Sequence, residues 1–206
     1  MREIDPKQTS RAAAFHQWIK APMPMVTVTR TLDVTAAVRY SRKKDYELNA
    51  LFCWSIGKAA SSLPEFYLLP VQEKLMQYDR LAINLVVQTK NKGISTCDVP
   101  WQEDAALFLQ DYRRLTGEVY ESGMAFELGD DYAVIGTSAL VKYEIDSVTN
   151  LYSGIFNNPF LIWGKYRKKW LRRLLPVSFQ FHHSQMDGGE ACEFLSRWQQ
   201  ELKKLK

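Results

Sequence analysis

The residues best suited to do chemistry in this chain are His182 and His183, followed after three further residues by Asp187, Gly188 and Gly189. An unperturbed imidazole titrates near neutral pH, so a histidine is the natural side chain to take a proton from a hydroxyl as its oxygen attacks. It does so only when one ring nitrogen is held as a donor and the other is left open. Asp187 and its glycines fall where they can shape the turn behind such a ring. The preceding run, Val177-Ser178-Phe179-Gln180-Phe181, alternates and predicts a strand; the following run, Ala191 to Leu205, predicts an amphipathic helix. Side chains at a strand-to-helix junction project into a cleft. The plainer alternative is a His-His strand end closed by an ordinary Asp-Gly turn; the shared register of two histidines, Asp and Gly favours chemistry. A third reading makes His182, His183 and Asp187 metal ligands. Adjacent strand residues point to opposite faces and chelate poorly, no other cluster supports a metal, and the remaining histidine is His16; no metal is expected.

Several elements must position this junction. A short helix is expected around Phe15 to Lys20, broken by Pro22 and Pro24. Val26 to Leu32 is β-branched and alternating, hence a strand. Leu48, Leu51, Phe52, Ser55, Ile56, Ala59 and Ala60 recur at helical spacing, and Pro64 ends that helix. Leu81 to Gln88 predicts a buried strand, Trp101 to Tyr120 an amphipathic helix, and Tyr132 to Ile145 one long strand or two short ones. In the last helix Phe194, Trp198, Leu202 and Leu205 share one face. Strands and helices mix without strict alternation, which predicts an α/β two-layer sandwich, one mixed β-sheet covered by helices.

Composition narrows the classes. At 206 residues, a single domain over residues 1–206 is the expectation, large enough to bury a substantial core. A net charge of +4 does not argue for nucleic acid but suits a small anionic ligand. Cys53, Cys97 and Cys192 are odd in number and form no CxxC pair, which indicates neither zinc nor a disulfide framework and fits a reducing cytoplasm. The N-terminus has no apolar signal core, and no apolar run approaches the roughly 20 residues of a membrane helix, so no membrane partner is expected.

The pattern His-His-x-x-x-Asp-Gly resembles that of coenzyme-A-dependent acyltransferases, and the match to the chloramphenicol acetyltransferase family extends well beyond it. Pro176 and Gln180 lead into the histidines as in that family. Pro159 with Gly164-Lys165-Tyr166 matches its PxxxxGKY segment, Thr137-Ser138-Ala139 its Ser-Ala element, and Pro64-Glu65-Phe66 its PEF. Arg11 and Phe15, then Leu32-Asp33-Val34-Thr35, fall at family spacing. The resemblance covers nearly the whole chain.

Acyl transfer to a hydroxyl needs a base, a donor for the oxyanion, and a site that excludes water from the thioester. The resemblance implies His183 as the general base and Ser138 as the oxyanion donor. It pairs Asp187 with Arg11 in a structural salt bridge that holds the histidine loop. It places Lys165 and Tyr166 against coenzyme A, makes acetyl-CoA the co-substrate, and implies a homotrimer with each site shared between subunits. The chain is rich in large apolar residues, with six Trp and ten Phe, a surplus that suits such an interface. Where the family carries an aromatic pair lining the antibiotic pocket, this chain has Gln17-Trp18. Asn49 stands in place of a second adenine-stacking tyrosine, and Ile162 in place of a threonine before the Gly of GKY. These departures leave the hydroxyl acceptor open. Two other readings stand beside the leading one: a lipoamide-type transacetylase domain, which shares the histidine motif although no lipoyl or linker stretch is evident, and an inert relative that binds coenzyme A.

Overall fold

The structure is a computed structural model and describes residues 1–150 and 154–206. The chain opens with β1 (Arg2–Ile4) and α1 (Ala12–Trp18). β2 (Met25–Asp33) runs directly into α2 (Thr35–Lys44) and α3 (Leu48–Ala60). Four strands follow, β3 (Leu68–Val71), β4 (Lys74–Gln77), β5 (Arg80–Gln88) and β6 (Ile94–Pro100), then α4 (Ala105–Ser122). The second half holds β7 (Tyr132–Leu140), β8 (Phe160–Gly164), β9 (Arg167–Lys169), β10 (Arg172–His182) and α5 (Gly188–Lys204).

The main sheet has the order β2-β10-β8-β7-β5-β6, with β9 paired to β10, and β1, β4 and β3 form a small second sheet. It is mixed: β5–β7 and β7–β8 are parallel, while β2–β10, β10–β8 and β5–β6 are antiparallel. Helices α3, α4 and α5 cover one face, giving the α/β two-layer arrangement that the sequence predicts. Alternation along β10 decides the layering. Val177, Phe179 and Phe181 enter the core, where Phe179 meets Phe194 of α5 at a ring separation of 4.8 Å. Ser178 and Gln180 take the opposite face. Between α5 and α3 the Trp198 indole N–H donates to Ser55 Oγ at 2.8 Å, a buried polar pair within the core.

Element boundaries differ from the sequence expectation for local reasons. Helix α1 lies earlier than Phe15–Lys20, beginning behind Arg11. α4 starts at Ala105 rather than Trp101 because Asp104 Oδ1 accepts the N–H groups of Ala106 and Leu107, a side-chain cap. α5 starts three residues before Ala191, at Gly188, because Asp187 and Glu190 cap it reciprocally. β7 is one strand that stops at Leu140; the apolar continuation to Ile145 turns across the end of β8 instead. Gly164 permits that crossing. A Cβ there would lie 2.6 Å from Tyr143 O and 2.7 Å from Ile145 Cγ1.

Gly164→Ala is therefore expected to force Tyr143 and Ile145 off β8 and lower stability by about 1–3 kcal/mol, the usual cost of overpacking. Thermal unfolding followed by circular dichroism checks this; an unchanged midpoint contradicts it.

Candidate active site

β10 delivers His182 as its last residue, and His183 begins the turn into α5. The His183 backbone N–H donates to Pro24 O at 2.8 Å, which extends the β2–β10 pairing by one rung into the loop before β2. Trp18, the last residue of α1, stacks its ring on the His183 imidazole at 4.5 Å with an interplanar angle of 3°. On the other side, His183 Nδ1 lies 3.0 Å from Asp187 Oδ1, without the alignment of a full hydrogen bond. A carboxylate only accepts, so this contact favours the tautomer with the proton on Nδ1, which would leave Nε2 as the acceptor. The ring stays 26% exposed.

Arg11 holds this turn together. Its guanidinium is only 3% exposed and donates to both carboxylate oxygens of Asp187, each at 2.8 Å. It also donates to His183 O at 2.8 Å and, through Nε, to Ser184 O at 3.4 Å. One buried cation thereby fixes three residues of the loop. The hydrogen bonds from Arg11 hold the Asp187 carboxyl below the ordinary carboxylate range, and Asp187 in turn raises Arg11. The pair's stabilisation is present above the ordinary carboxylate value of about 3.9 and is lost as pH falls through the lower folded-state value. The resemblance gives Asp187 to Arg11 alone; here its Oδ1 also faces His183.

His182 has a different environment. It is 1% exposed, and the Ser184 N–H donates to its Nδ1 at 3.1 Å. Burial first, then the neighbouring His183, push it down to about 4. It is neutral at neutral pH, and the stability it confers is full above about 6.5 and declines as pH falls towards its folded value.

The other sequence-predicted residues lie elsewhere. Ser138 is on β7, paired with Ile162 of β8, which in turn pairs with Ser178 of β10. It takes the face away from α3, whereas Thr137 turns to Cys53 of that helix. Strands two apart are roughly 10 Å apart, and the five residues from Ser178 to His183 span roughly 17 Å, so Ser138 and His183 of one chain stand roughly 20 Å apart. Lys165 and Tyr166 follow β8 at the Ser138 end of the sheet, Lys165 exposed and Tyr166 half-buried against the core. Gln17 is exposed beside Trp18. Asn49 donates to the Tyr112 hydroxyl at 3.1 Å, an inward hydrogen bond rather than a stacking surface. Ile162 is buried next to Ser138.

Between the two ends, a cavity of about 650 Å³ opens on the helix-free face, lined by Asn84, Asp98, Gly136, Phe160 and Gln180 among others. Asp98, buried at 5% exposure, accepts from Asn84 Nδ2 at 2.7 Å and from the Leu128 N–H at 3.0 Å. The sequence reading missed Asn84 and Asp98; a lone Asn within the apolar run of β5 was the available signal. Among the described residues no group of three or more His, Cys, Asp or Glu is placed to hold a metal ion. Burial pushes the thiols of Cys53 and Cys97 up to about 12, so neither is a ready nucleophile.

The sequence profile described as Chloramphenicol acetyltransferase matches residues 1–199. The chain belongs to the chloramphenicol acetyltransferase family. It is 24% identical over 191 residues to chloramphenicol acetyltransferase 2 of Escherichia coli, covering 91% of this chain and 88% of that one. A solved chloramphenicol acetyltransferase superposes with a TM-score of 0.83 at 20% identity, over 98% of this chain and 99% of that one. A truncated catalytic core of the 2-oxoacid dehydrogenase multienzyme complex from Thermoplasma acidophilum shares the fold with a TM-score of 0.73 at 12% identity, covering 100% and 99%. Membership makes the chain an acyltransferase.

Because the buried Arg11 is satisfied by a half-exposed Asp187, Arg11→Ala and Asp187→Asn should each lower the unfolding midpoint, and the double variant should be little worse than either single one. Denaturant titration of the four proteins checks this; additive losses would mean that the pair is not coupled.

Proposed function

We propose that the protein transfers the acetyl group of acetyl-CoA to a hydroxyl of a small-molecule acceptor by direct attack, with His183 as general base. Nε2 of His183 takes the hydroxyl proton as the acceptor oxygen bonds to the thioester carbonyl carbon. The carbonyl oxygen becomes an oxyanion and accepts a hydrogen bond from Ser138 Oγ. Collapse breaks the carbon–sulfur bond, and the departing thiolate takes the proton from His183, giving the acetyl ester and free coenzyme A. The observation that carries this reading is the clamped imidazole: Trp18 fixes its plane, Asp187 faces Nδ1, and one ring edge is left for a substrate. Chloramphenicol is the first acceptor to test, and its acetylation would make this a cytoplasmic antibiotic-resistance enzyme.

The roughly 20 Å between Ser138 and His183 within one chain favours a shared site. In this reading, His183 of one subunit acts with Ser138, Lys165 and Tyr166 of its neighbour in a homotrimer. Lys165 meets a coenzyme phosphate and Tyr166 the adenine. Trp18 and Gln17 border the acceptor beside the histidine. The helix-free face supports a partner there, since Val86, Ile94 and Phe156 are 42%, 79% and 72% exposed on it. A closed ring of three repeats one heterologous contact and leaves no open face.

Thiol release from acetyl-CoA, measured across a panel of hydroxyl acceptors that includes chloramphenicol, tests the reading. His183→Ala should lower turnover by about 10²–10⁴-fold while the protein still folds. Ser138→Ala should lower kcat by about 10²-fold or more with little change in KM for acetyl-CoA. The two variants, unfolded and refolded together in equal amounts, should regain about a quarter of wild-type activity, because one half of histidine donors meets one half of serine donors in a random ring. A His183→Ala loss below tenfold would remove the base assignment, and no recovery on mixing would remove the shared site.

A further inference from the structure

The hairpin formed by β9 and the start of β10 takes no part in the chemistry above. Lys169 pairs with Arg172, and Lys168 with Arg173, which leaves Trp170 and Leu171 as its two-residue tip. Trp170 has φ 55°, a left-handed conformation that a bulky aromatic residue seldom adopts. No packing compensates for it: Trp170 is 94% and Leu171 82% exposed, the two most exposed large apolar side chains among the described residues. The chain thus holds an indole and an isobutyl group side by side in water, at a convex point where neither contributes to its core.

The hairpin's own charged residues, Arg167, Lys168, Lys169, Arg172 and Arg173, are all basic. Arg167 takes the nearby acids Glu144 and Asp146, and Arg172 approaches Asp33 at 3.9 Å. Lys168 and Lys169 are exposed and carry no ion pair among the described residues. Burial opposes the ionised Asp33, but hydrogen bonds from Thr35, then Arg172 and Lys203, hold its carboxyl down, so Lys203 at the end of α5 is another cation at this end of the molecule. On the adjoining turn, Val141 and Tyr143 are 55% and 66% exposed.

A narrow apolar tip collared by lysines suits a surface that yields to it and carries phosphates. Tryptophan favours the membrane–water interface, where its ring is apolar and its N–H is wet. Leucine belongs deeper, and unpaired lysines are drawn to anionic headgroups. A nucleic acid strand would use the tryptophan and the lysines but offers nothing to Leu171. We propose that this hairpin docks the protein on an anionic lipid bilayer, with Trp170 and Leu171 entering the headgroup–acyl boundary and Lys168 and Lys169 meeting lipid phosphates. The absence of an apolar span does not weigh against this, since a hairpin on the surface needs none.

Flotation of the full-length protein with vesicles tests the proposal. The wild type should float with phosphatidylcholine vesicles containing one-third phosphatidylglycerol, should not float with phosphatidylcholine alone, and should be released by high salt. Trp170→Ser/Leu171→Ser and Lys168→Glu/Lys169→Glu should each weaken partition by about tenfold or more, since one lysine near an anionic surface is worth about fivefold. Both pairs are exposed, and far-UV circular dichroism checks their folding. Should a variant fail to fold, bromine-labelled acyl chains should quench fluorescence in the wild type, and less so in Trp170→Phe. The proposal is overturned if the wild type ignores anionic vesicles, if Trp170→Ser/Leu171→Ser binds as the wild type does, if Trp170→Phe is quenched as fully as the wild type, or if a single-stranded oligonucleotide is bound in preference.

Discussion

A guanidinium that is 3% exposed must be neutralised and fully hydrogen-bonded where it lies, and Arg11 has one place to achieve this. Its partner, Asp187, is 176 residues away in sequence. That single requirement brings the N-terminal segment against the end of β10, sets the turn over residues 183 to 187, and fixes where α5 starts. Trp18 comes with α1 as part of the same docking and closes the flat side of the imidazole. The histidine's orientation thus follows from satisfying a buried charge. The carboxylate's position at the N-cap of α5 adds the favourable field of the helix terminus.

The sheet then distributes chemistry to two ends. Parallel pairing of β5, β7 and β8 carries Ser138 to the end where Lys165 and Tyr166 emerge, while antiparallel β10 carries His183 to the other. The face between them holds the Asn84–Asp98 pair and the cavity, away from the helices. Under the proposed shared-site reading, each end of this open face carries half of a reaction site. The exposed apolar residues on that face are the cost of leaving it uncovered within one chain.

Much of the site was legible because it is local. His183, Asp187 and the helix behind them lie within a few residues, and their types and spacing point to base chemistry. The layered α/β fold followed from the periodicities of β2, β5, α3, α4 and α5. What was not legible depends on distant contacts. Stacking of Trp18 on His183 has no sequence signature, and the approach of Asp187 to His183, beside the Arg11 pairing that the family resemblance implied, is set by the geometry of the turn. Helix α2 escaped notice because β2 enters it with no Gly or Pro break; Asp33 Oδ1 instead accepts from the Thr35 N–H at 3.0 Å and starts it. Strand β6 was missed because Ser95 interrupts its apolar pattern on the core side and Thr96 and Asp98 interrupt it on the cavity side. The overrun of β7 has the opposite cause: alternation persists to Ile145, but the space at Gly164 sends the chain elsewhere.

The central claim is that the Arg11–Asp187 clamp presents His183 with its proton on Nδ1 and Nε2 open. The chain has only three histidines, so nitrogen-detected side-chain NMR of the uniformly labelled protein at neutral pH can assign each tautomer. The account predicts the Nδ1–H form for His183 and the opposite, Nε2–H, form for His182, whose Nδ1 accepts from Ser184. A His183 found in the Nε2–H form in the wild type would contradict it.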